Sequence, residues 1–262
     1  MIDTLILSGG GPSGIAYIGI FKALFEKNIL TKDLSGIKEI ITTSVGILFS
    51  ILYMLSMNEE SIEKFMLEFD ILSFLDTENL TIDNLLLQFG LFNNYKIGES
   101  VNSFIRHLLH IEDITLQELY NKIPIQLTVK VFNSTKKQLE YISYQTDPNL
   151  KLSLLAQMTT AIPFFFKPVE YNNCLYVDGG LRGHFPIEKC QSKNYLGLFV
   201  LGGSVPQESE LFDLFPIVKY IHSLMINQDD IINEIKNKKV FPTIIYTEIN
   251  QGLNFDLSES QK

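Results

Sequence analysis

Three consecutive glycines stand where an apolar, strand-like run, Leu5 to Leu7, gives way to a helix-like run, Ile15 to Leu24. The whole stretch reads Ser8-Gly9-Gly10-Gly11-Pro12-Ser13-Gly14. Residues without side chains leave backbone N–H groups uncovered and admit a close approach, and Pro12 suits the first turn of the helix that follows. A helix N-terminus adds partial positive charge. Such a loop therefore cradles an anion, either a phosphate or the oxyanion that develops during acyl transfer.

Gly9-x-Gly11-x-x-Gly14 matches the dinucleotide-binding fingerprint, which also calls for an acidic residue roughly 20 residues on, at the tip of the second strand. Here the second strand, Ile37-Lys38-Glu39-Ile40-Ile41-Thr42-Thr43, runs into Ser44-Val45-Gly46, so its tip carries a serine. A helix-length apolar run, Ile47 to Met57, follows. A serine on a sharp strand-to-helix turn is the geometry of a nucleophile elbow, whose usual pattern is G-x-S-x-G. This chain has Thr42-Thr43-Ser44-Val45-Gly46, without the first glycine. On this segment alone a helix N-cap is the plainer reading of Ser44, and the elbow needs support from elsewhere in the chain.

Far downstream, Val177-Asp178-Gly179-Gly180 closes a β-like run that begins at Asn173. By itself an Asp-Gly pair is a turn. In the order glycine loop, serine elbow, Asp-Gly-Gly, the three segments resemble the patatin-like phospholipase family of lipid acyl hydrolases. The resemblance extends from about Leu5 to Leu201. It includes Gly19 after the glycine loop, Met158-Thr159-Thr160-Ala161-Ile162-Pro163 leading into Phe164-Phe165-Phe166-Lys167-Pro168, and Pro186 after the Asp-Gly-Gly segment.

The resemblance implies an α/β fold, a three-layer sandwich with a mostly parallel central sheet and helices on both faces. It implies Ser44 as nucleophile, Asp178 as proton acceptor, and the backbone of Gly9, Gly10 and Gly11 with the N–H of Val45 as oxyanion hole. Gly14, Gly46, Gly179 and Gly180 are its motif glycines. The scheme needs no cofactor and no metal, and the implied substrate is a phospholipid or other lipid ester at a membrane or micelle surface. Three positions depart from the family pattern: Ser13 stands in place of Arg or Lys, Thr42 in place of Gly, and His184 in place of Asn. The alternatives are a catalytically impaired lipid-binding protein, for which Thr42 argues, and a Ser-His-Asp esterase using His184 or His222.

Alternating strand and helix patterns agree with a mostly parallel sheet. Strands are expected at Thr4 to Leu7, Lys38 to Thr43, Gln126 to Phe132, Gln138 to Ser143, Lys167 to Tyr171, Leu175 to Val177, Leu196 to Leu201 and Thr243 to Tyr246. Helices are expected at Pro12 to Lys27, Val45 to Met57, Ser61 to Phe69, Leu116 to Lys122 and Asn149 to Thr159, with a helical stretch from Thr81 to Ile111. Phe164 to Phe166 reads as a core β-run. Two apolar stretches, Ile71 to Leu75 and Leu85 to Phe92, are surplus to the scaffold and are either core helices or a lid over the acyl site.

With 262 residues, 46% of them hydrophobic, the chain can bury a large core. One domain over residues 1–251 and a disordered tail, 252–262, are expected. A net charge of −9 argues against nucleic acid. Met1-Ile2-Asp3-Thr4 lacks the positive start of a signal peptide, and the longest apolar run, Gly46 to Met57, is too short to span a bilayer. A cytoplasmic protein, peripheral at membranes, is therefore expected. Cys174 and Cys190 are read as reduced thiols, and neither they nor the four histidines fall at metal-ligand spacing.

Overall fold

A computed structural model describes residues 2–55, 85, 87–202 and 243–249. The expected helix Ser61 to Phe69, most of the apolar insertion, His222 and the tail lie outside the described residues.

The described strands are β1 (Thr4–Leu7), β2 (Glu39–Thr43), β3 (Gly90–Phe92), β4 (Gln126–Asn133), β5 (Gln138–Ile142), β6 (Phe164–Phe166), β7 (Val169–Tyr171), β8 (Cys174–Asp178), β9 (Tyr195–Gly202) and β10 (Thr243–Ile249). The helices are α1 (Ala16–Glu26), α2 (Gly46–Met54), α3 (Tyr95–Leu109), α4 (Leu116–Lys122) and α5 (Leu152–Thr160). An eight-stranded sheet runs in the order β10-β9-β1-β2-β4-β8-β7, with β5 also on β4. The pairs β10–β9, β9–β1, β1–β2 and β2–β4 are parallel, whereas β5 and β8 meet β4 antiparallel and β7 meets β8 antiparallel.

Period-two alternation in the inner strands feeds two cores, one on each face of the sheet. Leu5, Leu7, Ile40, Leu127, Val129 and Val131 join the large apolar cluster that also holds the buried faces of the five described α-helices. Ile6 and Ile41 point the other way, onto Phe185, Ile187 and Phe199. Every residue of α2 is buried, which suits a run that is apolar on all sides. At α4 the sequence Thr115-x-x-Glu118 forms a capping box, so the helix starts at Leu116 as its pattern predicts.

The helical stretch expected from Thr81 to Ile111 is interrupted. Gly90–Phe92 is a strand that pairs in parallel with β6, Gly90 opposite Phe164 and Phe92 opposite Phe166, in a separate two-stranded sheet. A Cβ at Gly90 would stand 2.4 Å from the carbonyl of Phe166 and from the amide nitrogen of Lys167, so only glycine allows this approach. A helical period in the preceding leucines hid the break. Of the proposed lid, Leu91 and Phe92 at its end are buried core, while Leu87 and Phe89 are exposed.

Candidate active site

β4 gathers the site. β5 occupies one edge of β4 from Val129 to Asn133, so the strands that pair with the same stretch on the other side share one edge. β2 follows that edge as far as Thr43 opposite Lys130, and β8, running the opposite way, ends at Asp178 opposite Val131. The two strands thus end head to head on successive residues of β4. Ser44, the residue after β2, and Asp178, the last residue of β8, come together across 134 residues of sequence: Ser44 Oγ donates to Asp178 Oδ2 at 2.6 Å.

Ser44 lies on the turn between β2 and α2 at φ 51°, in the left-handed region that a residue with a Cβ enters only when held there. Its hydroxyl caps no helix. Val45 is the N-cap residue of α2 and makes no side-chain cap bond, which settles the N-cap alternative against Ser44. Thr42, one of the departures from the family pattern, is fully buried, and a Cβ at Gly46 would fall 2.3 Å from Thr42 Oγ1 and 2.8 Å from the Ser8 carbonyl oxygen. The glycine after the serine therefore makes the room that the missing glycine before it would have made. Thr42 Oγ1 has no hydrogen-bond partner among the described residues.

Asp178 is 5% exposed, and both carboxylate oxygens are engaged: Oδ2 by Ser44 and Oδ1 by the N–H of Gly180 at 2.7 Å. Burial pushes its carboxyl up to about 6. The Ser44 hydroxyl, the Gly180 N–H and the positive charge of Lys130 pull the other way and hold the rise in check. The outcome is a carboxylate ionised at neutral pH yet a stronger base than an exposed aspartate.

The glycine loop packs against this pair, a Cβ at Gly9 lying 3.1 Å from that of Ser44. Its backbone is anchored from both sides. Ser8 N–H donates to the Leu198 carbonyl and Ser8 Oγ accepts from the N–H of Val200, while the buried Tyr17 hydroxyl donates to the Ser8 carbonyl at 2.7 Å. Among the loop amides expected to face an oxyanion, that of Gly9 is already spent on the His184 carbonyl at 2.8 Å. This corrects the expectation for Gly9. The N–H groups of Gly10, Gly11 and Val45 have no protein acceptor among the described residues.

His184 sits beside the pair: its Nδ1 lies 3.5 Å from where a Cβ of Gly9 would be and 2.9 Å from where one of Gly180 would be. Because Asp178 bonds Ser44 directly, no imidazole stands between them. Sequence reasoning missed two residues. Lys130, 1% exposed, donates from Nζ to the carbonyls of Arg182 and Gly183 and to Glu188, at 2.9, 3.0 and 2.6 Å, tying down the turn after Asp178. Thr159, fully buried, accepts the N–H of Ser44 at 2.8 Å and donates to the Lys130 carbonyl. A charged residue in the middle of an apolar strand pattern was the one signal that marked Lys130. Thr159 carried none beyond its place in the stretch that ends at Pro163.

Comparison with known proteins came to the same region. A sequence model of patatin-like phospholipase matches residues 5–190. The uncharacterized protein R571 of Acanthamoeba polyphaga mimivirus is 27% identical over 100% of this chain and 89% of its own length. The probable lipid hydrolase 463L of Invertebrate iridescent virus 6 is 28% identical over 71% of this chain and 62% of that protein. Among solved structures, VipD from Legionella pneumophila superposes with a TM-score of 0.62 over 99% of this chain and 63% of the VipD chain, at 18% identity, a likeness of fold. The chain thus spans less than two thirds of 463L and of VipD.

Proposed function

This chain belongs to the patatin-like phospholipase family, and we propose that it hydrolyses fatty acyl esters of phospholipids or other lipids through an acyl-serine on Ser44, with Asp178 as its proton acceptor. The observation that carries the reading is the 2.6 Å hydrogen bond from a buried serine on a positive-φ turn to a buried carboxylate, beside backbone N–H groups without an acceptor among the described residues. The likeness to a probable lipid hydrolase supports the substrate class.

The steps follow from the contacts. As Ser44 Oγ attacks the ester carbonyl carbon, its proton passes to Asp178 Oδ2, and the carbonyl oxygen becomes an oxyanion facing the amides of Gly10, Gly11 and Val45. Collapse of the tetrahedral intermediate breaks the bond to the alcohol, which leaves with the proton held on Asp178. A water molecule then attacks the acyl-serine, Asp178 takes its proton and returns it to Ser44 Oγ, and the fatty acid departs. A carboxylate is a weak base for an alcohol, and two features compensate: the raised proton affinity of Asp178 and preorganised donors for the charge that proton removal creates. The scheme uses neither a metal nor a histidine.

The test is labelling with a fluorophosphonate, mapping of the modified residue, and hydrolysis of phospholipid vesicles by Ser44→Ala and Asp178→Asn. Label on Ser44 and loss of hydrolysis in both variants is the expected result, with the double variant no worse than either single one. Label on another residue, or more than about a tenth of the parent activity in either variant, overturns the dyad.

A further inference from the structure

The C-terminal end of α5 reaches both reacting residues by separate hydrogen bonds. Thr159 Oγ1 accepts the N–H of Ser44 at 2.8 Å and donates to the carbonyl of Lys130, also at 2.8 Å. Two residues on, the carbonyl of Ala161 accepts the N–H of Asp178 at 2.9 Å. Thr159 and Ala161 are both fully buried. The Lys130 carbonyl receives a second hydroxyl, that of Thr43, at 3.2 Å, so the residue before the elbow and the residue gripping it share one acceptor on β4.

A left-handed serine at the end of a strand must be held by something outside its own turn, since the conformation is disfavoured for a residue with a Cβ. The N–H of Ser44 is where that hold is applied. Its acceptor has to take one hydrogen bond and give another, because the oxygen that receives Ser44 lies against a carbonyl with no proton of its own. Only a hydroxyl does both.

Resting on the dyad reading above, we propose that Thr159 is a positioning residue for the nucleophile: it fixes the elbow so that Ser44 Oγ stays within hydrogen-bond reach of Asp178, which the same turn of α5 fixes through Ala161. The neighbour Thr160 has the same chemistry and a different task. Its hydroxyl donates back to the Ala156 carbonyl at 2.7 Å, inside its own helix.

Valine matches threonine in shape and can neither accept nor donate, whereas serine keeps both functions. Thr159→Val is expected to lower kcat on a soluble short-chain ester, and the rate of fluorophosphonate labelling, by about tenfold to a hundredfold with KM within about twofold, the size of effect that small displacements of reacting groups produce. Thr159→Ser is expected to restore both rates, and Thr160→Val to lower the melting temperature at most. If Thr159→Val does not fold, Thr159→Ala is measured by the same criteria. The proposal is overturned if the valine or alanine variant keeps kcat and labelling rate within about twofold of the parent, or if Thr159→Ser is as impaired as the valine variant. Ser44→Ala in parallel separates the two ideas. Hydrolysis surviving in Ser44→Ala sinks the dyad, whereas an inactive Ser44→Ala beside an unimpaired Thr159→Val sinks only the role of Thr159.

Discussion

Replacing Asp178 by asparagine should stop hydrolysis and at the same time make the protein more stable at neutral pH. Asparagine keeps the hydrogen-bond geometry, since its carbonyl oxygen can accept from Gly180 N–H as Oδ1 does and its amide can donate to Ser44 Oγ. What it removes is a buried negative charge. Asp178 goes from 3.8 to about 6 on folding, which corresponds to roughly 3 kcal/mol. The sign follows from proton binding. Between those two values the folded state holds the proton more tightly than the unfolded chain, so stability is fully present below about pH 4 and is lost as pH rises through about 6. The asparagine variant has no such loss. At pH 7.5 its melting temperature should exceed the parent's by several degrees, and the difference should shrink toward zero near pH 4. Urea unfolding of both proteins from pH 4 to 8, followed by far-ultraviolet circular dichroism, measures it. A variant less stable than the parent at pH 7.5, or a difference that does not change with pH, would mean that burial is not what makes Asp178 basic.

Four further outcomes are expected. The pH profile of kcat/KM should have an acid limb near pH 6, activity rising as Asp178 loses its proton, and a limb near 4 would contradict its burial. Lys130→Met should lower stability and move that limb to higher pH, because the lysine charge holds the Asp178 carboxyl down; an unmoved limb would remove Lys130 from the electrostatics of the site. Gly10→Ala should fold, as its Cβ would meet Val200 at an ordinary 3.4 Å, and yet lose on the order of 10²-fold in kcat by crowding an open amide; unchanged turnover would take the loop out of the mechanism. Thr42→Val, which removes a buried hydroxyl without a partner, should match or exceed the parent in urea stability, whereas a loss of about 1 kcal/mol or more would show that the hydroxyl is bonded in solution.

The residues that make turns were legible in the sequence and the residues that hold those turns were not. Gly9 to Gly14, Ser44 with Gly46, and Asp178 with its glycines each announce a local backbone geometry, and local geometry is what residue type and spacing encode. The short sheet of β3 and β6 depends on a pairing across 74 residues, opened by one glycine at the end of a helical pattern. In the same way, the loss of Gly9 as a donor comes from a carbonyl at His184, and the hold on Ser44 from a hydroxyl at Thr159, both brought in by tertiary packing. Thr42, in place of glycine, argued in the sequence for an impaired protein. The room its side chain takes is left by Gly46, four residues later on the helix it faces.

The meeting of β2 and β8 on one edge of β4 also orders events during synthesis of the chain. The elbow, the glycine loop and their strands are made early, but Asp178 takes its place only when β8 has been made and docked antiparallel on β4. A nascent or truncated polypeptide ending before Cys174 would carry its serine and its glycine loop without a base and without the Leu198 and Val200 contacts that anchor the loop. On the dyad reading it would be unarmed, and the capacity to cut lipid would arrive in a single step, with the closing of the sheet.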